Sequence, residues 1–170
     1  MLTLSTAEPT GEMMPKAVEK TGSGEVRVRA AEAADLPAIV ALDRRITAVA
    51  KAGYWQWALQ HYAGGPPERI FLIAEAEDGA LVGFVIGEVR AWEFGSPPVG
   101  WVFAIQVDTA RRLAGVGTQL FGALCARFRV AGVDRVRTLV DRRDHLILSF
   151  FRSQGMTAGP SLQLDLELPA

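Results

Sequence analysis

Ile105-Gln106-Val107-Asp108-Thr109-Ala110-Arg111-Arg112-Leu113-Ala114-Gly115-Val116-Gly117-Thr118 joins two unlike patterns, and the rest of the chain is read outward from it. An apolar run from Val99 to Val107 ends at Asp108. A basic, glycine-containing loop follows, and an amphipathic helix begins near Leu113. At such a strand-to-helix junction the first free N–H groups of the helix point outward together, backed by the positive end of the helix dipole. Glycines let a bulky anion approach that backbone closely, so Arg112-x-x-Gly115-x-Gly117 suits a pyrophosphate. Taken alone, the same spacing also fits an ordinary tight loop between strand and helix.

Composition bounds the alternatives. The chain has 170 residues, 49% of them apolar, enough for one domain with a substantial core. No apolar run is long enough to span a bilayer, so no membrane association is expected. Residues 1–24 mix Thr, Ser, Glu, Pro, Lys and Gly without periodicity. They read as a flexible extension rather than a signal peptide, ahead of a single domain over 25–170. Cys125 is the only cysteine, which excludes an intrachain disulfide and points to a cytoplasmic protein. Net charge is −1, with nine basic against six acidic residues from Trp101 onward. Both parts belong to one domain, so the asymmetry argues for solvated faces and not for nucleic acid. No metal-ligand cluster is apparent, and the oligomeric expectation is a monomer or homodimer.

Periodicity sets the element order. Glu25–Ala30 alternates as a first strand, and Ala31–Thr47 follows helical spacing with Leu36, Ile39, Val40, Leu42 and Ile46 on one stripe. Tyr54–Tyr62 reads as a second helix bounded by Gly53 and Gly64-Gly65-Pro66-Pro67. Trp55, Leu59 and Tyr62 are expected to pack on the sheet. Arg69–Glu77 and Ala80–Trp92 are strands joined by Asp78-Gly79, a strong hairpin signal. Val99–Asp108 is apolar enough to predict burial on both faces. Leu113–Ala131 is the main helix, with Leu113, Val116, Leu120, Leu124 and Phe128 at core spacing and Gly132 as its stop. Asp134–Asp141, Asp144–Gln154 and Ser161–Leu168 complete the order as strand, helix and strand. The class is α/β with one mixed sheet.

The junction resembles the acetyl-CoA signature of the GNAT superfamily of N-acetyltransferases, a strand followed by [Gln/Arg]-x-x-Gly-x-[Gly/Ala] and a helix. Arg112, Gly115 and Gly117 fill its three positions. A second match has the spacing of the family's Asn-x-x-Ala-x-x-Phe-Tyr-x-x-x-Gly-Phe, here Asp144-x-x-Ile147-x-x-Phe150-Phe151-x-x-x-Gly155-Met156. The resemblance spans about Glu25 to Leu168. It implies a GNAT fold, a mostly antiparallel six- to seven-stranded sheet flanked by about four helices. It also implies acetyl-CoA as donor and an amine, protein or small molecule, as acceptor. The fourth strand is then expected to splay from the fifth. Ile105, Gln106 and Val107 would hold the pantetheine arm there through main-chain groups. Arg112, Leu113, Ala114, Gly115, Val116, Gly117 and Thr118 would wrap the pyrophosphate, with Asp144 and Phe151 along the arm. Arg112 either contacts phosphate or faces solvent, and Thr118 either caps the helix or touches phosphate.

Side chains that usually carry acid–base work in the family are altered. The positions matching its strand glutamates are Trp101 and Leu139, and the position matching its thiolate-protonating tyrosine is Phe151. Two readings follow, an active N-acetyltransferase and a degenerate acyl-CoA-binding sensor. If the chain is active, a carboxylate near the cleft must accept the amine proton, and Glu93 is the leading candidate, shielded by Trp92 and Phe94. Glu88, Asp141, Tyr54, His61, Tyr62 and His145 are further candidates.

Overall fold

Alternating Val26-Arg27-Val28-Arg29-Ala30 forms β1 (Val26–Ala30) in the computed structural model, which describes residues 26–109 and 115–168. A single turn at Ala33–Asp35 leads into α1 (Leu36–Thr47), with Pro37 in the first turn, where its missing N–H costs nothing. The Arg29 guanidinium meets Asp35 in two hydrogen bonds of 2.8 Å and Glu75 at 2.9 Å, tying β1 to this helix entry. Then come α2 (Ala52–Tyr62), β2 (Arg69–Ala76), β3 (Leu81–Arg90) and β4 (Val99–Val107), followed by α3 (Val116–Val130), β5 (Val136–Thr138) and α4 (His145–Ser153). Gly79 closes the β2–β3 hairpin at φ 79°, a conformation that favours glycine.

The strands run in the order β1-β2-β3-β4-β5, antiparallel except for the last pair. Period-2 alternation divides β2 between two cores. Ile70, Leu72 and Ala74 face α3, where Val116, Leu120, Leu124 and Phe128 are buried. Phe71 and Ile73 face the opposite side, with Ile39 and Leu42 of α1 and Trp55 and Leu59 of α2. Trp55 packs edge-on to Phe84 at 4.9 Å, as expected of an aromatic pinning a helix to a sheet. Tyr62 lies half-buried against Phe103.

Five strands form among the described residues, one or two short of the expected number. Residues 161–168 do not make the predicted last strand, and Leu162, Leu164, Leu166 and Leu168 are all exposed. Alternation specifies a two-faced segment but cannot supply the partner whose ladder would make it a strand. The fifth strand shrinks to three residues. The third stops at Arg90, because Trp92 and Phe94 turn left-handed at φ 63° and 48°. β4 is buried only over Val99, Gly100 and Val102, and Phe103 is exposed. Its far half has lost a strand neighbour. The helix expected from Leu113 is described from Val116. Leu113 itself and the predicted extension over 1–24 lie outside the described residues.

Helix α3 sits close to the sheet because glycines face it. A Cβ on Gly87 would lie 2.7 Å from the Trp101 carbonyl oxygen and 2.7 Å from Phe128 Cζ, and one on Gly100 would lie 2.5 Å from the Phe128 ring. Gly122, within α3, has open space around it. Gly87→Ala should therefore destabilise the fold by about 1–3 kcal/mol through overpacking. Gly122→Ala should be neutral or stabilising by up to about 1 kcal/mol. Urea denaturation of both variants checks the contrast.

Candidate functional site

The β4–β5 ladder is three residue pairs long, Gly100↔Val136, Trp101↔Arg137 and Val102↔Thr138. Thr138 Oγ1 donates to the Val102 carbonyl at 2.8 Å, a last pin at the end of the shared register. Immediately beyond it the β3–β4 register slips, so that Phe103 is an extra residue between Ala104, opposite Ile86, and Val102, opposite Gly87. A bulge bends its strand and increases the local twist. β4 thus departs from β5, and a cleft of about 400 Å³ opens between Val102–Gln106 and Thr138–Val140. Ile147 and Phe151 of α4 line it on one side, and Lys51, Tyr54 and Trp55 close the end toward α2.

Ile105 and Gln106 line this cleft, and Val107 lies one step beyond, opposite Gly83. Ile105 and Val107 turn toward the α3 core. Gly115 is the N-cap of α3 at φ 73°, a backbone shape that favours glycine. Gly117 serves closeness instead, since a Cβ there would reach 3.0 Å from the Phe150 ring. Val116 is fully buried, so only its main chain is available to a ligand. Thr118 is exposed, and its hydroxyl accepts from Gln154 Nε2 at 3.2 Å. Arg112, Leu113 and Ala114 lie outside the described residues. Asp144 caps α4, accepting from the Ile147 amide at 3.0 Å. Phe151 is buried against Phe121 and Phe150 while still lining the cleft.

Glu93 is not among the residues that line the cleft. It follows Arg90, which pairs with Val99, and Val99 is six residues from Ile105 along β4, roughly 20 Å at strand rise. The aromatic shield expected around it is absent, as Trp92 and Phe94 are both strongly exposed. Glu88 is occupied by the Tyr62 hydroxyl at 3.0 Å and Arg90 at 2.8 Å, and the Tyr62 pKa is pushed up to about 12, chiefly by burial. Asp141 is ion-paired to Arg143, whose hydrogen bonds hold its pKa low. His61 is exposed with its ring tilted against Trp57 at 4.3 Å, and His145 is exposed at the start of α4. Of the further candidates, only Tyr54 lines the cleft.

At the α2 end of the cleft lies a group that the sequence reading passed over. Asp43 of α1 has no solvent exposure. Its carboxylate accepts from Trp55 Nε1 at 2.8 Å and from Gln106 Nε2 at 2.8 Å, and it pairs with Lys51 Nζ at 3.1 Å. Burial alone pushes its pKa up. The hydrogen bonds from Trp55, Gln106 and Lys51, with the Lys51 charge, outweigh that push and leave it below the ordinary carboxylate value. One signal was available: Asp43 shares the α1 stripe with Ile39, Leu42 and Ile46, so a carboxylate was already placed on the buried face. The remaining amide oxygen, Gln106 Oε1, is buried with no hydrogen-bond partner. It is an acceptor beside the cleft still lacking a donor.

The family model described as acetyltransferase (GNAT) family matches residues 36–156. The chain belongs to that family. Among solved structures, aminoglycoside N-acetyltransferase AAC(6')-Iy in complex with CoA is similar at 15% identity and TM-score 0.73, covering 88% of this chain and 99% of its own. An aminoglycoside acetyltransferase from an uncultured soil metagenomic sample matches at 19% identity and TM-score 0.67, over 85% of this chain and 97% of that one. A Trypanosoma brucei acetyltransferase matches at 21% identity and TM-score 0.65, over 85% and 100%. At these identities the likeness is one of fold. No curated protein sequence matches the chain. Among the described residues no helix is long and apolar enough to cross a membrane, and no group of three or more His, Cys, Asp or Glu is placed to hold a metal ion.

The Asp43 network has a pH signature. Its native pKa lies below the unfolded value, so its contribution to stability is complete above the unfolded carboxylate pKa, about 3.9, and is lost as pH falls through the native pKa. The urea midpoint of the wild type should fall as pH drops below about 4. Asp43→Asn, which leaves the donors of Lys51 and Trp55 poorly matched, should lower stability at neutral pH by about 1–3 kcal/mol and flatten part of that fall. Urea titrations of both proteins between pH 3 and 7 check this.

Proposed function

We propose that this chain transfers an acetyl group from acetyl-CoA to an amine, and the observation that carries the reading is the open edge of β4. Past Val102 no strand pairs with that edge among the described residues. Extended backbone of this kind accepts an amide-bearing chain as an added strand, so Ile105, Gln106 and Val107 would align the pantetheine arm along it. The edge leads toward Gly115 and the first turn of α3. There, free N–H groups and the helix dipole suit the pyrophosphate, and by the family resemblance Arg112, Leu113, Ala114, Val116, Gly117 and Thr118 would wrap it. Phe151 would pack on the arm and Asp144 would flank it. AAC(6')-Iy, a structural neighbour solved with CoA, supports this choice of donor.

Chemistry then rests chiefly on placement. Holding amine and thioester carbonyl in line contributes several kcal/mol of barrier reduction. Main-chain N–H groups of the β4 edge would stabilise charge developing on the carbonyl oxygen. No carboxylate lines the cleft among the described residues, and its one cation, Lys51, is already paired with Asp43. A polycationic acceptor finds no counter-charge inside, whereas Tyr54, Trp55 and Phe103 accommodate a monoamine with an apolar body.

Calorimetric titration with acetyl-CoA should show binding by the wild type and loss of it in a Gly115→Glu, Gly117→Glu variant whose side chains block and repel pyrophosphate. Thiol release should be faster with phenethylamine than with kanamycin. Equal binding by both proteins would overturn the assigned donor site, and binding without thiol release from phenethylamine, kanamycin or a lysine-containing peptide would overturn the transfer reaction.

A further inference from the structure

Acetyl transfer leaves two protons to be managed, one leaving the amine and one needed by the departing sulfur. Phe151 carries no proton and Glu93 lies apart from the cleft. Among the residues lining the cleft, only Lys51 and Tyr54 bear a proton that can be moved, Thr138 having committed its hydroxyl to the Val102 carbonyl. Lys51 is bound to the buried carboxylate of Asp43, and giving up its proton would strand that charge. Tyr54 is different. Its hydroxyl forms no hydrogen bond among the described residues, while its ring is held edge-on to Trp55 at 4.8 Å and stacked with Trp57 at 6.2 Å.

We propose, building on the acetyl-transfer reading, that the Tyr54 hydroxyl is the proton relay of this enzyme and that the Asp43–Lys51–Trp55 network positions it. As the amine nitrogen bonds to the carbonyl carbon, the C–S bond breaks and its electron pair stays on sulfur. The hydroxyl proton of Tyr54 passes to that sulfur, giving the free thiol, and the amine proton passes to the Tyr54 oxygen. The amide and thiol leave with Tyr54 restored, so no further acid or base is consumed. A relay of this kind needs a phenol that stays protonated. Partial burial of a side chain still 44% exposed, and then the negative charge of Asp43, raise the Tyr54 pKa above its ordinary value. The charged groups lining or abutting this end of the cleft are Asp43 from α1 and Lys51 at the start of α2. The described lining residues of β4, β5 and α4 add none.

Positioning comes from the network. Trp55, next to Tyr54, is fixed through its indole nitrogen to Asp43, and Lys51 Nζ lies 5.8 Å from the Trp55 ring. Asp43 also holds Gln106, so the relay end of α2 and the donor-binding edge of β4 share one anchor.

The test uses the full chain, acetyl-CoA and phenethylamine. Tyr54→Phe keeps the ring contacts and should leave the thermal midpoint and the acetyl-CoA affinity unchanged while lowering kcat by about 10²–10⁴-fold. Replacement of Tyr54 by 3,5-difluorotyrosine, which restores a more acidic hydroxyl, should restore turnover with the alkaline limb of kcat moved to lower pH. A kcat for Tyr54→Phe within twofold of wild type would overturn the relay and leave acetyl transfer standing. So would a raised phenethylamine KM at unchanged kcat, since the hydroxyl would then only bind the acceptor. Wild-type protein that binds acetyl-CoA yet releases no thiol would instead overturn the transfer reading, and the relay with it.

Discussion

The open side of the molecule depends on where the β4–β5 ladder stops. Three residue pairs hold the strands together, Thr138 pins the end of the register, and the extra residue at Phe103 bends β4 away. Had the pairing continued, Ile105–Val107 would face another strand and no cleft would form. The departure costs hydrogen bonds on one edge, and the rest of the sheet must tolerate it. It does so because the β1–β2–β3–β4 ladders are long and both faces of that part are covered by helices.

Close approach of α3 is the second constraint. Gly83, Gly87 and Gly100 remove the side chains that would hold the helix off, and Phe128 and Leu124 fill the space. The same closeness brings the first turn of α3 beside the end of β4, where a Cβ on Gly117 would lie 3.7 Å from Val107 Cγ2. The glycines of the junction then divide the work. Gly115 supplies a left-handed turn, and Gly117 allows Phe150 of α4 to come near, so the two matching positions of the motif answer to different physical demands.

Asp43 connects these parts. A carboxylate at zero exposure is tolerated only when its charge is met, and here donors arrive from α2, from the residue before α2 and from β4. Satisfying that one group sets the spacing of α1, α2 and β4 at the end of the cleft. It also leaves Gln106 Oε1 as an unpaired acceptor there. Leu139 and Phe151 give the cleft apolar lining where it meets β5 and α4. Its one charged lining residue, Lys51, lies at the α2 end.

Local pattern alone determined a good deal. Alternation located β1, the strand segments around Asp78-Gly79 gave the β2–β3 hairpin, and helical stripes gave the cores of α1 and α3. The Arg112-x-x-Gly115-x-Gly117 spacing together with Asp144–Met156 identified the family. These are short-range features, expressed through backbone dihedrals and through which face a side chain takes. Tertiary structure decided the rest. The length of β5 and the exposure of Leu162–Leu168 depend on whether a partner edge is available. The remoteness of Glu93 depends on strand register, because a residue just past the end of β3 lies near the start of β4 and not its end. The meeting of Asp43 with Gln106 spans 63 positions of chain. No local periodicity encodes such a contact. It arises when α1 and β4 pack on one face of the sheet and a buried charge must find its donors.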